Sequence, residues 1–386
     1  NYLILGRGDV LSHIGWMGDI VNTGYFGNDM YPITHILGAV THYFSGISLE
    51  SITTFIYPVF SIFFILSFYI LYNEILRDKS KVILAMVFTS IMVFGTAQTS
   101  FSPFTLSIFI VPIFFYLYFR ERSNQKWNVR MLLIIATLFL LLFHPLTALL
   151  LLFSIMIIEF SRYIYLKINQ SESIAHDDQP VKYRRNFSYV LIALLIAGLL
   201  LWKPYLHLLE NGFYTFYYFI VSQSSPNFSS ALSTANKATL QDLIKTTIYI
   251  YGVLIVTILV SLISIYELVK NNIMSLKNRS LHLLNIFMSL KVYEIFSILG
   301  FSLFILFSIF VYFKLPLFGF TRVLSFATIF TSFLIFSLFY IILESKNRKL
   351  NYNKYVKVVL ISIIVLPLIF VSTFNLYDSP LTLTPN

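Results

Sequence analysis

The chain has 386 residues, of which 58% are hydrophobic and 11% charged, with 27 Lys and Arg against 17 Asp and Glu and no cysteine. Soluble domains carry roughly 25% charged residues, so the composition excludes a soluble globular protein, and a chain without cysteine holds no disulfide or thiolate metal site. The formal charge of +10 does not point to nucleic acid, because the basic residues sit in short segments between apolar runs, where they report membrane topology.

The opening segment, GRGDVLSHIGWMGDIVNTGYFGNDMYP, is polar and glycine-rich and carries Arg7, Asp9, His13, Asp19 and Asp29. Gly15, Gly18, Gly24 and Gly27 predict a loop with turns, with Trp16, Tyr25 and Tyr31 as anchors at the membrane interface. Residues 33–46, ITHILGAVTHYFSG, are apolar but too short to cross a bilayer. They predict a re-entrant or interfacial helix, tolerated only where protein covers it. The first full span is 48–76, with Ser48 as N-cap and Glu50 in the first turn, and it ends in RDKSK. Spans 81–98 and 104–119 follow, the second closed by RERSNQKWNVR. Spans 131–143 and 146–166 are separated by His144-Pro145, where a residue without an N–H ends or kinks a helix.

Further spans at 187–206, 243–268, 292–314, 322–344 and 355–373 complete an all-α, polytopic transmembrane helical bundle. About ten spans result, each near the length of a bilayer core. The alternating pattern of a β-barrel is absent, as is any repeat of fixed period. The chain reads as a single transmembrane domain: an outer segment with the candidate catalytic residues and a short membrane-associated helix (1–47), a bundle (48–373) and an outer tail (374–386).

Lys and Arg crowd into 77–81, 120–130, 162–186, 270–291 and 345–357 and nearly vanish from 98–103, 144–146, 207–240, 315–321 and 374–386. The positive-inside rule places the first group in the cytoplasm and the second outside, together with the N-terminal segment and the C-terminal tail of a multi-pass cell-membrane protein. No cleavable signal peptide is visible, and both ends read as lying within loops. The alternation predicts one further span before Asn1.

Asp9 and His13 stand four apart and share a face if that segment is helical. A carboxylate partly desolvated near a bilayer suits a general base, and Asp19 is a second candidate; each acid read singly is also an ordinary surface or capping residue. His13, His35, His42, His144 and His207 all fall on the outer side. Together with the acids they could hold a divalent metal, although no H-x-x-x-H or H-E-x-x-H pair is present and an interior hydrogen-bonded histidine is the plainer reading of each. No other cofactor is implied, and the chain has neither a P-loop nor a G-x-G-x-x-G. Lys203 and Arg322 stand at outer ends of spans, against the positive-inside bias. An anionic phosphate at the outer leaflet explains them, as does snorkelling to headgroups.

Four segments together resemble the GT-C superfamily of polytopic glycosyltransferases: the acidic GRGDVLSHIGWMGDIVNTG, Tyr31-Pro32-Ile33-Thr34-His35 leading into a short helix, FHPLTALLLL between mid-chain spans, and TRVLSFATIF opening a late one. The resemblance covers most of the chain. It implies transfer of a sugar from a polyprenyl-phosphate donor to an acceptor hydroxyl at the extracytoplasmic face. Asp9 would be the base, with His13 and Asp19 beside it. Arg322 and Lys203 would hold the phosphate. Tyr214, Tyr217, Tyr218, His35 and His144 would line the substrate site. The implied partners are the lipid-linked sugar and membrane lipids, with no nucleic acid. The opening segment has no Asp-x-Asp or Glu-x-Asp, which departs from the metal-dependent, oligosaccharyltransferase-like subset. Two other classes stay open: a lipid or solute transporter, for which Pro58, Pro112 and Pro367 supply helix breaks, and a non-catalytic membrane assembly subunit.

Overall fold

A computed structural model of the chain describes residues 9–27, 29–92, 102–173, 187–201, 255–270, 292–314 and parts of 322–334, with Leu206, Glu210, Tyr214 and Tyr217 as single positions. Among these residues the structure is all-helical. In chain order the helices are α1 (Asp9–Thr23), α2 (Pro32–Ser45), α3 (Leu49–Leu76), α4 (Lys79–Met92), α5 (Pro103–Asn124), α6 (Trp127–Phe143), α7 (Pro145–Ser173) and α8 (Ser188–Leu201). They are followed by α9 (255–270), α10 (Val292–Lys314) and α11 (Arg322–Leu334).

The opening segment is a helix and not the loop that its glycines predict. Val10, His13 and Met17 recur at i, i+3 and i+7 and are all buried. Burial of that stripe outweighs Gly15 and Gly18, each of which costs about 1 kcal/mol relative to Ala in a helix interior. The turn arrives at Gly24, whose φ of 69° is the left-handed cap that glycine adopts freely. α2 then packs back on α1. A side-chain carbon at Gly38 would lie 2.0 Å from the Met17 sulfur, so glycine there lets the two helices close.

Among the described residues, three helical stretches are long and apolar enough to cross a membrane: Leu49–Leu76, Pro103–Asn124 and Pro145–Tyr163. Ser48 caps the first, accepting from the Ser51 amide. α5 is the central helix, packed against both α3 and α6, with Leu106, Phe109, Val111 and Phe114 fully buried. The outer face of α3 is apolar as well: Phe55 is 65% exposed and Ile62 61%. An exterior as greasy as the core is what a hydrocarbon solvent selects. The chain is thus a helical membrane protein. α6, α8, α11 and the stretch Glu294–Ile309 of α10 contribute shorter apolar segments, and α2, at 14 residues, is about 21 Å long, less than a bilayer core of about 30 Å. The expected span at 355–373 lies outside the described residues, as do parts of those at 81–98, 243–268 and 322–344.

The bundle has two ends of different chemistry. Where α3 and α5 finish and α6 and α8 begin, arginines meet glutamates. Arg120 pairs with Glu74 at 2.8 Å and Arg130 with Glu121 at 2.8 Å. Glu159 of α7 takes Arg122, the Tyr118 hydroxyl and, at 2.7 Å, the Ser188 hydroxyl. This end coincides with the Lys/Arg-rich segments 77–81 and 120–130. The opposite end, where α5 and α7 start, gathers the histidines.

Candidate functional site

The site is built on two prolines. Pro32 opens α2 and Pro145 opens α7, each at a position where a missing N–H costs a helix nothing. The residue before a proline is pushed out of the helical region, and both are: Tyr31 has φ −130° and ψ 49°, and His144 has φ −161° and ψ 122°. Neither ring is absorbed into a helix face. They stack on one another, 5.0 Å apart and 7° from parallel. His144 is the single residue between α6 and α7, so the proline sets a histidine directly into the interior.

Asp29 sits two residues before this Tyr-Pro junction. One of its oxygens accepts the Tyr31 amide at 2.8 Å, and the other lies 2.5 Å from Nδ1 of His35, one turn into α2. Nε2 of His35 in turn lies 2.9 Å from Nδ1 of His13 on α1. The result is a continuous carboxylate–imidazole–imidazole chain. It is buried: the His35 side chain is 0% exposed and that of Asp29 7%. Trp16 stands edge-on to both rings, and Tyr31 stands edge-on to His13, walling the chain with aromatic surface.

Arg322, the first residue of α11, adds the charge. Its guanidinium lies 6.0 Å over the Phe104 ring, and Phe104 meets His144 edge-on at 5.2 Å. Burial, with the Arg322 charge and His13 adding to it, holds the His144 ring well below the usual imidazole range. The ring is therefore neutral. Its Nδ1 is buried with no hydrogen-bond partner among the described residues, as is the Thr34 hydroxyl. Buried polar atoms are nearly always paired, so an orphan beside a cation marks a place that a ligand can complete.

The structure thus brings together four of the residues that sequence reading singles out: His13, His35, His144 and Arg322. Asp9 begins α1 one turn before His13, on the same face by spacing; its side chain lies outside the described residues. Asp19 is not part of the cluster. It stands six residues beyond His13, on another face of α1, and is exposed. Tyr214 and Tyr217 are exposed helical positions, while Lys203 and Tyr218 lie outside the described residues. His42 stands in the last turn of α2, its Nδ1–H donating to the Ile47 carbonyl just past the helix at 2.7 Å, and His207 lies outside the described residues. Among the described residues no three His, Asp or Glu side chains gather as a metal site.

Asp29 and Tyr31 are the residues that sequence reading underrates. The signal for them is the spacing Asp-x-Tyr-Pro followed by histidine: an acid three residues before the proline that starts a helix accepts the amide two residues on, and a histidine one turn into the helix reaches back to it. No protein-family model matches the chain, and neither does any curated protein. The functional reading rests on this geometry and its chemistry.

Proposed function

We propose that the chain is a multi-pass membrane glycosyltransferase of GT-C type. It would move a sugar from a polyprenyl-phosphate donor to an acceptor hydroxyl at the extracytoplasmic face. The observation that carries this reading is the placing of Arg322 beside a neutral, buried His144 with an orphaned ring nitrogen, at the end of the bundle that also holds His13. A guanidinium and a ring N–H suit the oxygens of a phosphate. The face of α1 carrying Asp9 and His13 supplies the base.

In the step this implies, the acceptor hydroxyl gives its proton to that base and its oxygen attacks the anomeric carbon. The bond from that carbon to the phosphate oxygen breaks, and its electron pair leaves with polyprenyl phosphate. Arg322 and His144 stabilise the growing phosphate charge. Lys203 supplies a second cation, and Tyr214, Tyr217 and Tyr218 line the path of the sugar or isoprenoid. The bundle has about ten spans, with the histidine end outside and α2 lying in the outer interface.

One observation favours a second reading. A buried Asp–His–His chain is also the proton path of a coupled transporter. Purified protein incubated with polyprenyl-phosphate-linked sugars separates the two. Release of polyprenyl phosphate is expected; proton-driven solute uptake into vesicles without any release contradicts the transferase.

A further inference from the structure

We propose that Asp29 and His35 are positioning residues that set the tautomer of His13, so that His13 Nε2 takes the proton of the acceptor hydroxyl; the assignment rests on the transferase reading above. The direction of the hydrogen bonds follows from donor and acceptor counts. An ionised carboxylate only accepts. With Asp29 Oδ2 at 2.5 Å, His35 carries its proton on Nδ1. A neutral imidazole has one N–H, so His35 Nε2 is an acceptor. The atom that faces it at 2.9 Å, His13 Nδ1, must then be the donor. The basic nitrogen of His13 is Nε2.

Asp29 is held for this task. The Tyr31 amide fixes one oxygen at 2.8 Å, which leaves the other aimed at His35. When His13 Nε2 takes the hydroxyl proton, the new imidazolium is stabilised through His35 by Asp29. The anomeric carbon–oxygen pair leaves with the phosphate, and His13 returns its proton to water after product release. Arg322 and His144 stay on the phosphate, so the proton and the leaving group are handled by separate groups.

A simpler role for Asp29 is to brace the start of α2 through the Tyr31 amide. Asp29→Asn separates the two roles. The Asn carbonyl oxygen keeps the Tyr31 amide, which leaves its NH₂ facing His35 Nδ1. That atom must become an acceptor. His35 then carries its proton on Nε2, His13 Nδ1 becomes an acceptor, and His13 Nε2 is protonated and blocked. The brace and every other side chain survive, and only the direction of the chain reverses.

The test is ¹⁵N NMR of the histidine-labelled full chain in lipid nanodiscs, with His13→Asn and His35→Asn identifying the two signals, run beside an assay of polyprenyl phosphate release. In the parent both rings should be Nδ1–H tautomers. In Asp29→Asn both should convert to Nε2–H, and kcat should fall at least about 10²-fold with the donor KM and the melting temperature unchanged. His35→Phe, which leaves the Asp29 brace in place, gives a second arm, with the same loss of kcat expected. Unchanged tautomers in Asp29→Asn, or a loss of release matched by a loss of melting temperature, would overturn the relay. Full release by Asp29→Asn alongside an inactive Arg322→Ala would overturn it too, and leave the transferase standing. No release by the parent would overturn the transferase and with it the catalytic role of the chain.

Discussion

At the end of the bundle where α5 finishes, Glu74, Glu121 and Glu159 each meet an arginine; at the end where it begins, a carboxylate meets two imidazoles and Arg322 makes no ion pair among the described residues. The first end closes its own electrostatics. Its charges are partly exposed, matched in sign and tied across α3, α5, α6, α7 and α8, which suits an anchor against the membrane surface. The second end leaves a cation and a buried ring nitrogen uncompensated. Such an arrangement adds nothing to stability. It makes sense as preparation for an anion that is not part of the chain.

The largest effect expected from this contrast is at Arg322. Arg322→Ala should lower turnover about 10³-fold, and Arg322→Lys less, because lysine cannot copy a bidentate hold on phosphate. Neither should shift the melting temperature, and a matching drop in stability would make Arg322 a structural residue like those at the other end. Next comes Glu159→Gln, which leaves Arg122 without its carboxylate. It should cost about 2 kcal/mol of stability, less than a fully buried pair because both groups are partly exposed, and leave turnover per folded molecule intact. A loss of turnover without a loss of stability there would erase the distinction between the ends.

A smaller effect concerns pH. His144 is held below its ordinary value in the folded chain, so below about pH 6.5 the unfolded chain binds a proton that the folded one refuses. Stability contributed by the neutral ring is present above that pH and is lost as pH falls, by up to about 1.4 kcal/mol per unit. His144→Asn should flatten the acid limb of melting temperature against pH between about 6.5 and 5; an unchanged slope would show that His144 is not the group refusing the proton. The smallest perturbation is silent labelling. In this cysteine-free chain, Tyr25→Cys at the histidine end and Asn124→Cys at the ion-pair end should react from opposite sides of the membrane. Reaction from the same side would contradict the assignment of the ends.

Much of the fold is legible in the residues. Ser48 caps α3, Pro145 starts α7, and residues 292–314 form α10 at the bounds that hydropathy implies. These are local effects: a hydroxyl on a free amide, a ring without an N–H, a run of apolar side chains. The segment before residue 32 misleads because local propensity loses to packing there. Gly15 and Gly18 argue for a loop, while Val10, His13 and Met17 bury a helical stripe that only exists once α2 and α3 are in place. The site shows the same division. Arg322 and His144 stand out from sequence as a cation against the topology bias and a histidine before proline. The joining of Asp29 to His13 does not, because it depends on α2 folding back on α1 through the close approach at Gly38. Asp9 and Asp19 attract attention by sharing the most polar segment, yet Asp19 turns outward, and among the described side chains the acid that reaches the imidazoles is Asp29.

The most direct test of the account is release of polyprenyl phosphate from a polyprenyl-phosphate-linked sugar, measured side by side for the parent chain, Arg322→Ala and Glu159→Gln in nanodiscs below the melting temperature of each. The account predicts release by the parent and by Glu159→Gln and almost none by Arg322→Ala. Equal release by the parent and Arg322→Ala, or none by any of the three, would contradict it.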